Sequence, residues 1–586
     1  MGRPDSTARP GWGGRAGLAA WTGMASRIAR RPAAGTVPHN PADLAVPPAR
    51  SALAPEAEQT AAAGRRWFAI HWLSIFGGSM ALFLFRFLVP SPVGMADNGD
   101  GPRLMCTLGV APVTGGNERY DGYAYFRYVL SPANCAHAIP YASSEHLLLV
   151  AARWLTPVLG LPGTVNLIAL GVLTCAIASV GIACVACGLA PAVRSRLVVA
   201  AALWLVMADA VFFDTFASPY SEGATLTGLL LVTAGLIYAG RGGLASAAGV
   251  VLTAAGGYLA VLSLEQYVVL VVPVSVALLL GALARDGRPG IRRLLTGRMA
   301  AAVLAVLLLG LAAGSFARQE AGSSFTKLLN QEQVVDVIFS DIVPKRITMA
   351  QAQASLRDLG LPTSWTQYAG HNFWSRPSAY NSPLYGQYAD KLTDANLAHY
   401  LITHPVKTVQ IAQASAVDAM DLRVNYLGNY GPGAGVPPGS LEGRIGIVSS
   451  LIGVIPTQLG LFWLIPLWAV MLALAVVTLR RPKLASWHHD AAVATIGLTG
   501  CAMVAFVPAA FFDGVETTRH MLGMNMATAL AFSVCFTLLA SLLRRGLRQE
   551  GTWGHSDAAL SWEGLAPQSR ADQQVTEELP IREPAG

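Results

Sequence analysis

The chain has 586 residues, of which 53% are hydrophobic and only 13% are charged. A soluble domain carries roughly 25% charged residues, so this composition excludes an ordinary soluble protein and indicates a chain solvated largely by lipid. The formal charge of +7 would suit nucleic acid, but basic residues also collect in the cytoplasmic loops of membrane proteins. We therefore predict membrane lipid as a partner and no nucleic acid.

The two ends of the chain differ from its apolar middle. Residues 1–64 are rich in Ala, Pro, Gly and Arg, and residues 546–586 are polar. Such segments bury too little apolar surface to offset their ordering entropy, so we predict two disordered tails. The first apolar run begins at residue 67 and is long enough to span a bilayer, which argues against a cleaved signal peptide.

Ten apolar runs have about the 20 residues that a helix needs to cross the hydrocarbon core. They are residues 67–90, 164–189, 196–213, 222–240, 246–262, 267–284, 299–316, 459–479, 491–511 and 521–543. The sequence therefore predicts an all-α membrane protein of about ten transmembrane helices, in two parts at residues 65–317 and 459–545. Residues 145–160 are apolar but short and contain Arg153, which favours a helix lying in the membrane interface.

The charges of the connecting loops predict the orientation of the spans. With ten spans, the basic clusters fall on one side of the membrane, at residues 65–66, 194–196, 241, 285–298, 480–483 and 544–548. Cytoplasmic loops carry an excess of Lys and Arg, so we place this side and both termini in the cytoplasm. The high Ala, Gly, Arg and Pro content suggests a GC-rich bacterial genome, and hence the inner (plasma) membrane of a bacterial cell.

Two long segments then face outward, residues 91–144 and residues 318–458. The second has ordinary polar composition, helical periodicity at 331–342 and 350–359, and no strand pattern strong enough to predict a sheet. We predict a mostly helical extracytoplasmic segment between the seventh and eighth spans. Cys106 and Cys135 both fall in the first loop, where an oxidising compartment permits a disulfide between them.

An acidic pair follows the first span, in the sequence Asp97-Asn98-Gly99-Asp100-Gly-Pro-Arg103. A turn around Gly99 can aim both carboxylates at one point, where they can hold a divalent cation with water. Alternatively, one carboxylate can act as general base on a sugar hydroxyl. A third interpretation is purely structural, because Asp and Asn residues of this kind are common in turns at helix ends.

The last span opens with Glu516, Arg519 and His520. Their spacing places Glu516 on the same side of a helical turn as Arg519 or His520. Arg recognises phosphate by two parallel hydrogen bonds, and His can add another donor, so the pair can bind a phosphate group. The alternative is an internal Glu516–Arg519 ion pair that only fixes the loop, and the two interpretations are compatible.

Other charged residues lie at or within the spans. Glu222, two residues after Tyr220, starts the fourth span, and Glu265 lies at the outer end of the fifth. Such charges are more often helix-end groups than catalytic ones. Arg86 lies near the outer end of the first span and is expected to snorkel to the interface. Asp209 lies within the third span and needs a partner, which the sequence does not identify.

Together these features resemble the GT-C glycosyltransferases, integral-membrane enzymes that take a sugar from a polyprenyl-phosphate carrier outside the cytoplasm. The acidic pair, the interfacial helix and the long later external segment carry the resemblance, which covers about residues 67–545. Three short motifs look like those of bacterial members that assemble surface glycans: Glu516-x-x-Arg519-His520, Ser218-Pro-Tyr-Ser-Glu222 and Leu356-Arg-Asp-Leu-Gly-Leu-Pro362. The acids are split here, unlike those of members with adjacent acids. The external segment has no Trp-Trp-Asp motif, which disfavours the oligosaccharyltransferase branch.

The resemblance implies sugar transfer with inversion at the anomeric carbon. Asp97 or Asp100 would deprotonate the acceptor hydroxyl of a cell-envelope glycan, glycolipid or glycoprotein, and the split spacing leaves open which of them is the base. Arg519 and His520 would bind the phosphate of a polyprenyl-phosphate-linked sugar donor, where negative charge grows in the transition state. The supporting residues would be Glu516, Glu222, Tyr220, Glu265 and Arg103. A divalent cation at Asp97 and Asp100, Mg²⁺ or Mn²⁺, would be the cofactor, although some members of the family work without one.

Two functions of other classes compete with this interpretation. A transporter or flippase of lipid-linked glycans would need polar or broken helices near the bilayer midplane, and in the sequence only Asp209 favours it. A non-catalytic envelope-assembly protein built around the external segment would have no reason to place acids at the outer ends of four separate hairpins, those that carry Asp97 and Asp100, Glu222, Glu265 and Glu516.

Overall fold

We describe the fold from a computed structural model, which covers residues 54–97, 99–113, 122–136, 142–283, 297–321, 324–344 and 347–550. The chain is mostly helical within these ranges, and the predicted all-α membrane fold is confirmed. Most of the two predicted tails, residues 1–53 and 551–586, lies outside the described residues. Residues 54–64 and 546–550 belong to helices, so the boundaries predicted for the tails were wrong there.

The α-helices are numbered here in chain order. They are α1 Ala54–Leu88, α2 Gly101–Met105, α3 Pro132–Cys135, α4 Glu145–Val158, α5 Leu167–Leu189, α6 Val193–Met207, α7 Ala210–Phe213, α8 Glu222–Ala239, α9 Gly243–Val261, α10 Val271–Leu283, α11 Gly297–Ala321, α12 Ser324–Asp336, α13 Met349–Asp358, α14 Tyr385–Tyr388, α15 Asp394–Thr403, α16 Pro405–Met420, α17 Ile447–Gly453, α18 Leu461–Leu479, α19 Ser486–Phe511, α20 Thr517–His520 and α21 Leu522–Glu550. Tighter 3-10 turns lie at Cys106–Leu108, Asp214–Ala217, Glu265–Leu270, Thr363–Tyr368, Ala389–Lys391 and Thr457–Leu459, and a π turn at Val337–Ile342.

Nine helical spans in the described part of the chain are long and apolar enough to cross a membrane. They are Arg66–Leu88, Leu167–Leu189, Glu222–Ala239, Gly243–Val261, Glu265–Leu283, Met299–Arg318, Leu461–Leu479, Ser486–Phe511 and Thr517–Arg545. These spans coincide with nine of the ten predicted runs. The agreement follows from the bilayer itself, because its thickness sets the length of apolar sequence that a helix must supply.

The remaining predicted run, residues 196–213, is not one continuous helix. Val193–Met207 and Ala210–Ala217 meet at an angle of 62°. Asp209 stands at the break and caps α7, because its side chain accepts a hydrogen bond from the backbone of Val211. The pair counts as a tenth span only if the broken helix crosses the membrane as one unit.

The helix predicted at 145–160 is present as α4, Glu145–Val158. Its 14 residues rise about 21 Å, which is too short for a hydrocarbon core of about 30 Å. Trp154 and Val158 on this helix are 75% and 78% exposed, as expected where apolar side chains meet lipid. The structure therefore agrees with a helix that does not span.

A small antiparallel sheet was not predicted. Its strands are β1 Val110–Pro112, β2 Arg127–Leu130 and β3 Val165–Asn166, in the order β1-β2-β3. Val110 pairs with Leu130, and Tyr128 pairs with Val165. Strands of two to four residues are too short to show an alternating pattern, so the sequence could not indicate them. The sheet ties the loop after α1 to the beginning of α5.

Glycines allow a close approach between two membrane helices, α8 and α9. A Cβ atom added to Gly228 would lie 2.6 Å from the carbonyl oxygen of Gly256, and one added to Gly256 would lie 2.6 Å from that of Gly228. Only residues without a side chain permit this separation of the two backbones, as is common where membrane helices pack. The contact fixes the position of α8, whose first residue is Glu222.

The segment between α11 and α18 has a hydrophobic core of its own. Trp365, Phe339 and Phe373 are among its fully buried side chains. Phe511 and Phe512, at the end of α19, pack against this core. The predicted helix at 331–342 is present as the end of α12 and the following π turn, and that at 350–359 as α13. The segment therefore sits on one end of α19, beside the loop that leads to α20.

The opposite end of the bundle has a separate ionic contact. Arg241 follows α8, and its Nε lies 3.3 Å from Oδ2 of Asp490 on α19. The same guanidinium donates to the carbonyl oxygen of Gly188 at the end of α5, at 2.6 Å. The ends of α5 and α8 and the beginning of α19 thus meet there, and the ends of α1 and α19 and the beginnings of α8 and α20 meet at the other end, which we call the site end.

Candidate functional site

Asp97 and Asp100 lie in the turn between α1 and α2. Oδ1 of Asp97 accepts the N–H groups of Gly99 and Gly101, each at 2.8 Å. A Cβ atom on Gly101 would lie 2.7 Å from Cγ of Asp97, so the turn requires glycine at that position. The turn interpretation of the sequence therefore holds for one oxygen of Asp97. Burial raises the pKa of Asp97 to about 6, although the two amide hydrogen bonds act in the opposite direction.

A distant segment holds the extended chain that leads to Asp97. The N–H of Gly94 donates to the carbonyl oxygen of Asn429 at 3.1 Å, and that of Ala96 donates to Gly428 at 2.8 Å. The side-chain amide of Asn429 donates back to the carbonyl oxygen of Gly94, also at 2.8 Å. Residues 94–96 are therefore paired in the manner of a strand, which fixes where Asp97 begins its turn.

Arg519 is surrounded by three carboxylates. Its Nη2 lies 2.6 Å from Oδ2 of Asp100, its Nε lies 3.1 Å from Oε1 of Glu222, and its Nη1 lies 2.8 Å from Oε2 of Glu516. The guanidinium also lies over the ring of Tyr220, 4.9 Å from its centroid. We call Asp100, Glu222, Glu516 and Arg519 the rim cluster. The structure thus brings together residues from the ends of three hairpins that the sequence expected to share one membrane face.

The rim cluster has more acids than bases. Burial disfavours the charged form of Asp100, but the guanidinium of Arg519 outweighs it and holds the pKa of Asp100 below its usual value. Arg103 is a weaker partner, with Nη1 3.9 Å from Oδ1 of Asp100. Three carboxylates facing one guanidinium leave an excess of negative charge, which a bound anion would increase unless a cation or proton compensates it.

His520 is fixed on one side by Asp513. Its Nδ1 forms an ion pair with Oδ2 of Asp513, and its Nε2 lies 3.2 Å from Nη2 of Arg519. Although burial disfavours the charged form of Asp513, His520 holds the pKa of this carboxyl below its usual value. The second ring nitrogen of His520 therefore faces the guanidinium of Arg519.

Two neighbours of Glu265 in its turn contact the site. Glu265 is exposed, whereas Gln266 is half-buried and Tyr267 is buried. The side-chain amide of Gln266 and the hydroxyl of Tyr267 each donate to the carbonyl oxygen of His520, at 3.2 Å. These two uncharged donors were not identified from the sequence, and the supporting role of Glu265 stays a prediction.

Tyr426 is a site residue that the sequence did not identify. Its hydroxyl donates to Oε1 of Glu516 at 2.8 Å, and its side chain remains 53% exposed. It belongs to the segment at 421–446 between α16 and α17, which also supplies Asn429. Tyr220, which was predicted, donates its hydroxyl to the carbonyl oxygen of Ala96 at 2.9 Å. An exposed tyrosine in a loop gives no sequence signal that would distinguish it from a surface residue.

Glu145 was also missed. Its Oε2 accepts the N–H of Ala224 at 2.7 Å, in the first turn of α8, and only 1% of the residue is exposed. Burial raises the pKa of Glu145 to about 8, and the nearby Glu222 acts in the same direction. A neutral or charged carboxyl at the beginning of a helix satisfies a backbone donor that would otherwise have no partner. Glu145 therefore anchors the turn that presents Glu222 to Arg519.

A second group of charges lies deeper, and we call it the buried network: Arg86, Asp214 and Glu442, with Arg423 and Arg444 at its edge. Arg86 forms ion pairs with Glu442 and, at 4.0 Å, with Asp214. Arg423 lies 3.9 Å from Asp214, and Arg444 lies 2.7 Å from Glu442. Arg86 is only 3% exposed, so the prediction that it snorkels to the interface was wrong. The network fastens the segment at 421–446 to α1 and to the broken third span.

Asp209 has the partner that the sequence did not reveal. Its Oδ2 accepts the backbone N–H groups of Val448 and Ser449, at 2.7 and 3.2 Å, and its Oδ1 lies 3.2 Å from the hydroxyl of Ser449. Together with the bond from Val211, these donors satisfy both carboxylate oxygens. Asp209 thus joins the break in the third span to the beginning of α17.

Cys106 and Cys135 are joined by a disulfide, with their Cα atoms 5.3 Å apart. The pairing is the one that the sequence permitted. It links the 3-10 turn after α2 to α3, beside the small sheet. The other five cysteines are free, and four of them are buried.

Among the residues that the structure describes, no three side chains of His, Cys, Asp and Glu converge as ligands of a metal ion. The pair Asp97 and Asp100 offers two carboxylates, and one oxygen of each already takes hydrogen bonds from amides or from Arg519. Magnesium is commonly held by one or two carboxylates together with water and substrate phosphate. The pair therefore fits a cation that shares its coordination shell with a bound phosphate, and does not fit a closed metal site made of protein alone.

The fold and the site define a multi-pass α-helical membrane protein with a carboxylate-bound arginine at one end of its bundle. The family model of the YfdI N-terminal transmembrane domain matches residues 69–548, which is most of the chain. The chain therefore belongs to the family of the YfdI N-terminal transmembrane domain. No curated protein and no solved structure matches it.

Proposed function

We propose that the protein is a membrane glycosyltransferase of the GT-C kind. It would transfer a sugar from a polyprenyl-phosphate donor to a hydroxyl of a cell-envelope glycan, glycolipid or glycoprotein. The observation that carries the proposal is the contact of Arg519 with Asp100 beside Asp97, at the end of the spans. A lipid-phosphate donor needs a site with an apolar side for its chain and a cationic side for its phosphate, and a rim between spans provides both.

The proposed reaction is a single displacement. A bond forms between the acceptor oxygen and the anomeric carbon while the bond from that carbon to the phosphate oxygen breaks. The acceptor proton passes to a carboxylate, and the electron pair of the broken bond leaves with the polyprenyl phosphate. Attack on the face opposite the phosphate inverts the configuration at the anomeric carbon.

Asp97 is the better general base of the two predicted acids. Its pKa of about 6 lies close to neutral pH, so it is a stronger base than an ordinary aspartate while remaining mostly ionised. Asp100 is held by Arg519, which lowers its pKa and its basicity. We therefore assign proton abstraction to Asp97, and to Asp100 the role of holding Arg519 in place until the donor phosphate enters.

Arg519 and His520 would bind the donor phosphate. Asp100 and Glu516 have 34% and 24% of their side chains exposed, so these are the carboxylates that an entering phosphate could replace on Arg519. Glu222, with 2% exposed, would stay in place. A divalent cation held by Asp100, water and the donor phosphate would supply charge neutralisation for the leaving phosphate and leave Asp97 free to act as the base.

The proposed setting is the inner membrane of a bacterial cell. Among the residues that the structure describes, the basic residues at 194–196, 241 and 480–483 lie in or beside loops opposite the site end. Basic loops are cytoplasmic in most membrane proteins. We therefore propose that both termini are cytoplasmic and that the rim cluster faces outward. The donor would then be a lipid-linked sugar presented on the outer leaflet.

The decisive experiment is an analysis of envelope glycans by mass spectrometry in cells that lack the gene. We expect deletion to remove a sugar residue from one glycan, and the native gene to restore it. Arg519→Lys keeps the charge but loses the planar fork, so it should restore less than about a hundredth of the native amount.

The matched control is Arg241→Lys, which alters another ion-paired arginine at the opposite end of the bundle. This variant should restore the glycan fully. An unchanged glycan profile in the deletion strain would refute the proposed function. Full activity of Arg519→Lys would refute only the role proposed for Arg519 and would leave the proposed function standing.

A transporter of lipid-linked glycans is the second candidate, and the break in the third span favours it. Broken spans with polar residues at the break are common in transporters. Here, however, Val211, Val448 and Ser449 satisfy both oxygens of Asp209, which gives the break a structural explanation. Deletion of a transporter would also remove the sugar from the envelope glycan, because the donor would not reach the outer leaflet. Transfer by the purified protein in detergent, where no membrane has to be crossed, separates the two functions, since only an enzyme would form the product.

A further inference from the structure

An exposed tryptophan stands close to the rim cluster and has no part in the proposed reaction. Trp374 lies in the loop at 371–382 and is 59% exposed. Its indole N–H donates to Oε1 of Glu332 on α12, and its ring meets that of Phe373 edge-on, with centroids 5.0 Å apart. The side chain is therefore held by two contacts while more than half of its surface stays exposed.

Two acids of α12 position this loop. Glu332 takes the indole N–H of Trp374, and Oδ1 of Asp336, one helical turn later, accepts the backbone N–H of Phe373 at 2.5 Å. Phe373 also stacks on Tyr380, with centroids 4.0 Å apart. The loop is thus attached to α12 at two consecutive residues, which leaves Trp374 little freedom to turn.

The same helix lies against the loop that carries the rim cluster. A Cβ atom on Gly514 would lie 2.5 Å from the backbone of Asp336, so the loop before α20 contacts the last residue of α12. Gly514 is two residues before Glu516. Burial raises the pKa of Glu332 to about 7, and the charges of Asp100 and Glu516 act in the same direction. The loop that carries Trp374 and the loop that leads to Glu516 therefore both contact the last part of α12.

The chemistry of this surface suits a sugar. One face of a pyranose ring presents C–H groups that pack on an open aromatic ring, and its rim presents hydroxyls that bind carboxylates. Trp374 offers the ring, and Glu332 and Glu516 offer the carboxylates. The loop around the tryptophan is polar, with Asn372 and Arg376 beside it, which favours a water-soluble ligand over lipid chains.

We propose that Trp374 and Glu332 form a subsite that binds a sugar of the acceptor glycan next to the rim cluster. This proposal rests on the proposed function for the identity of the ligand as an acceptor. Binding to the subsite does not itself require catalysis, and it can be measured separately. The subsite would hold the acceptor by a residue adjacent to the hydroxyl that reacts.

The test uses the full chain in lipid nanodiscs and saturation-transfer difference NMR. The probes are the methyl α-glycosides of glucose, galactose, mannose and rhamnose. We expect at least one of them to bind, with C–H protons of one ring face receiving most of the saturation. Trp374→Ala should raise its dissociation constant about tenfold, because the stacking contact is lost.

Three further variants make the result specific. Trp374→Phe should keep most of the binding, since an aromatic face remains. Glu332→Gln should weaken binding by removing the carboxylate. Trp154→Ala, which removes a 75% exposed tryptophan on α4, should leave binding unchanged. Absence of binding by all four glycosides, or equal binding by Trp374→Ala and the native protein, would overturn the subsite.

The two proposals fail in different ways. If the native gene restores the envelope glycan but Trp374→Ala binds glycosides as the native protein does, the subsite is refuted and the enzyme stands. If glycosides bind at Trp374 but deletion leaves every glycan unchanged, the subsite stands and the enzyme is refuted. Quenching of Trp374 fluorescence by brominated phosphatidylcholine, measured against Trp374→Phe, would instead identify a membrane anchor and overturn the subsite.

Discussion

The rim cluster and the buried network are both groups of carboxylates around an arginine, but they differ in access. No side chain of Arg86, Asp214 or Glu442 in the buried network is more than 3% exposed. In the rim cluster, Asp100 and Glu516 are 34% and 24% exposed. The accessible members of the buried network are instead its edge arginines, Arg423 and Arg444, at 29% and 33%, while both of its carboxylates are enclosed. A group with two accessible carboxylates can exchange a partner for a ligand.

The two groups of charges also hold different parts of the molecule. The buried network fastens the segment at 421–446, which in turn pairs with residues 94–96 and brings Tyr426 to Glu516. The rim cluster uses the positions that this segment sets. Damage to the buried network should therefore affect folding and activity together, whereas damage to the rim should affect activity alone.

The largest effect is expected from Arg86→Met, which leaves Asp214 and Glu442 buried without their main cation. Removing one partner of a buried ion pair costs about 3–5 kcal/mol. The thermal unfolding of the purified protein in detergent should shift to much lower temperature, with a low yield of folded protein. Arg153→Met removes an exposed arginine of α4 and serves as control. If Arg86→Met were as stable as the native protein, the buried network would not have the structural role that distinguishes it from the rim cluster.

Asp97→Asn should abolish most of the transfer and leave the fold intact. The Asn side-chain oxygen can still accept the amides of Gly99 and Gly101, but the amide cannot take a proton from the acceptor. We expect a loss of about 10²–10⁴-fold in the rate of transfer. The unfolding temperature should match that of the native protein. Asp390→Asn, which alters a side chain 73% exposed, should keep full activity. A fully active Asp97→Asn would assign the base to another residue.

The pH dependence of transfer sharpens the same assignment. A base with a pKa of about 6 is protonated as the pH falls below 6, so the rate should fall about tenfold per pH unit there and level off above it. Because the native pKa is raised, protonation of Asp97 favours the folded state over the same range. A loss of transfer rate at low pH, with the circular dichroism of the helices unchanged, would agree with protonation of Asp97 as its cause. A flat profile down to pH 5 would contradict it.

The smallest effect is expected from Tyr426→Phe, which removes the hydroxyl that binds Glu516. A hydrogen bond of this kind contributes about 1 kcal/mol, which corresponds to about a fivefold change in the rate of transfer. Tyr380→Phe, in the same external segment, provides the matched control. An effect larger than a hundredfold would mean that Tyr426 takes a direct part in the reaction.

Much of the fold was predictable, and the failures have identifiable causes. Arg86 was interpreted wrongly because Asp214 and Glu442, its two partners, are distant in sequence. The partners of Asp209 were not predicted, because they are backbone N–H groups at the beginning of α17, and every residue except proline has such a group. The sheet at β1–β3 escaped because its strands are too short to show periodicity.

The candidate site was predictable in its residue types and its membrane face, but not in its contacts. The sequence placed Asp97, Asp100, Arg519 and His520 together. It missed Gln266 and Tyr267, because a charge at a helix end is visible in the sequence and an uncharged hydrogen-bond donor is not. It left open whether Asp97 or Asp100 is the proposed base, since that assignment depends on which of them Arg519 holds.

The sequence by itself determined the membrane class and nearly all of the spans. The spans depend on apolar runs of about 20 residues. The thickness of the bilayer sets that length, so each run can be recognised without the rest of the chain. Only the tertiary structure decided that Asp100 and Glu222 also surround Arg519, and that Arg86 is enclosed. Those contacts join residues that are far apart in the chain, and their strength depends on burial, which is a property of the assembled helices and not of any one segment.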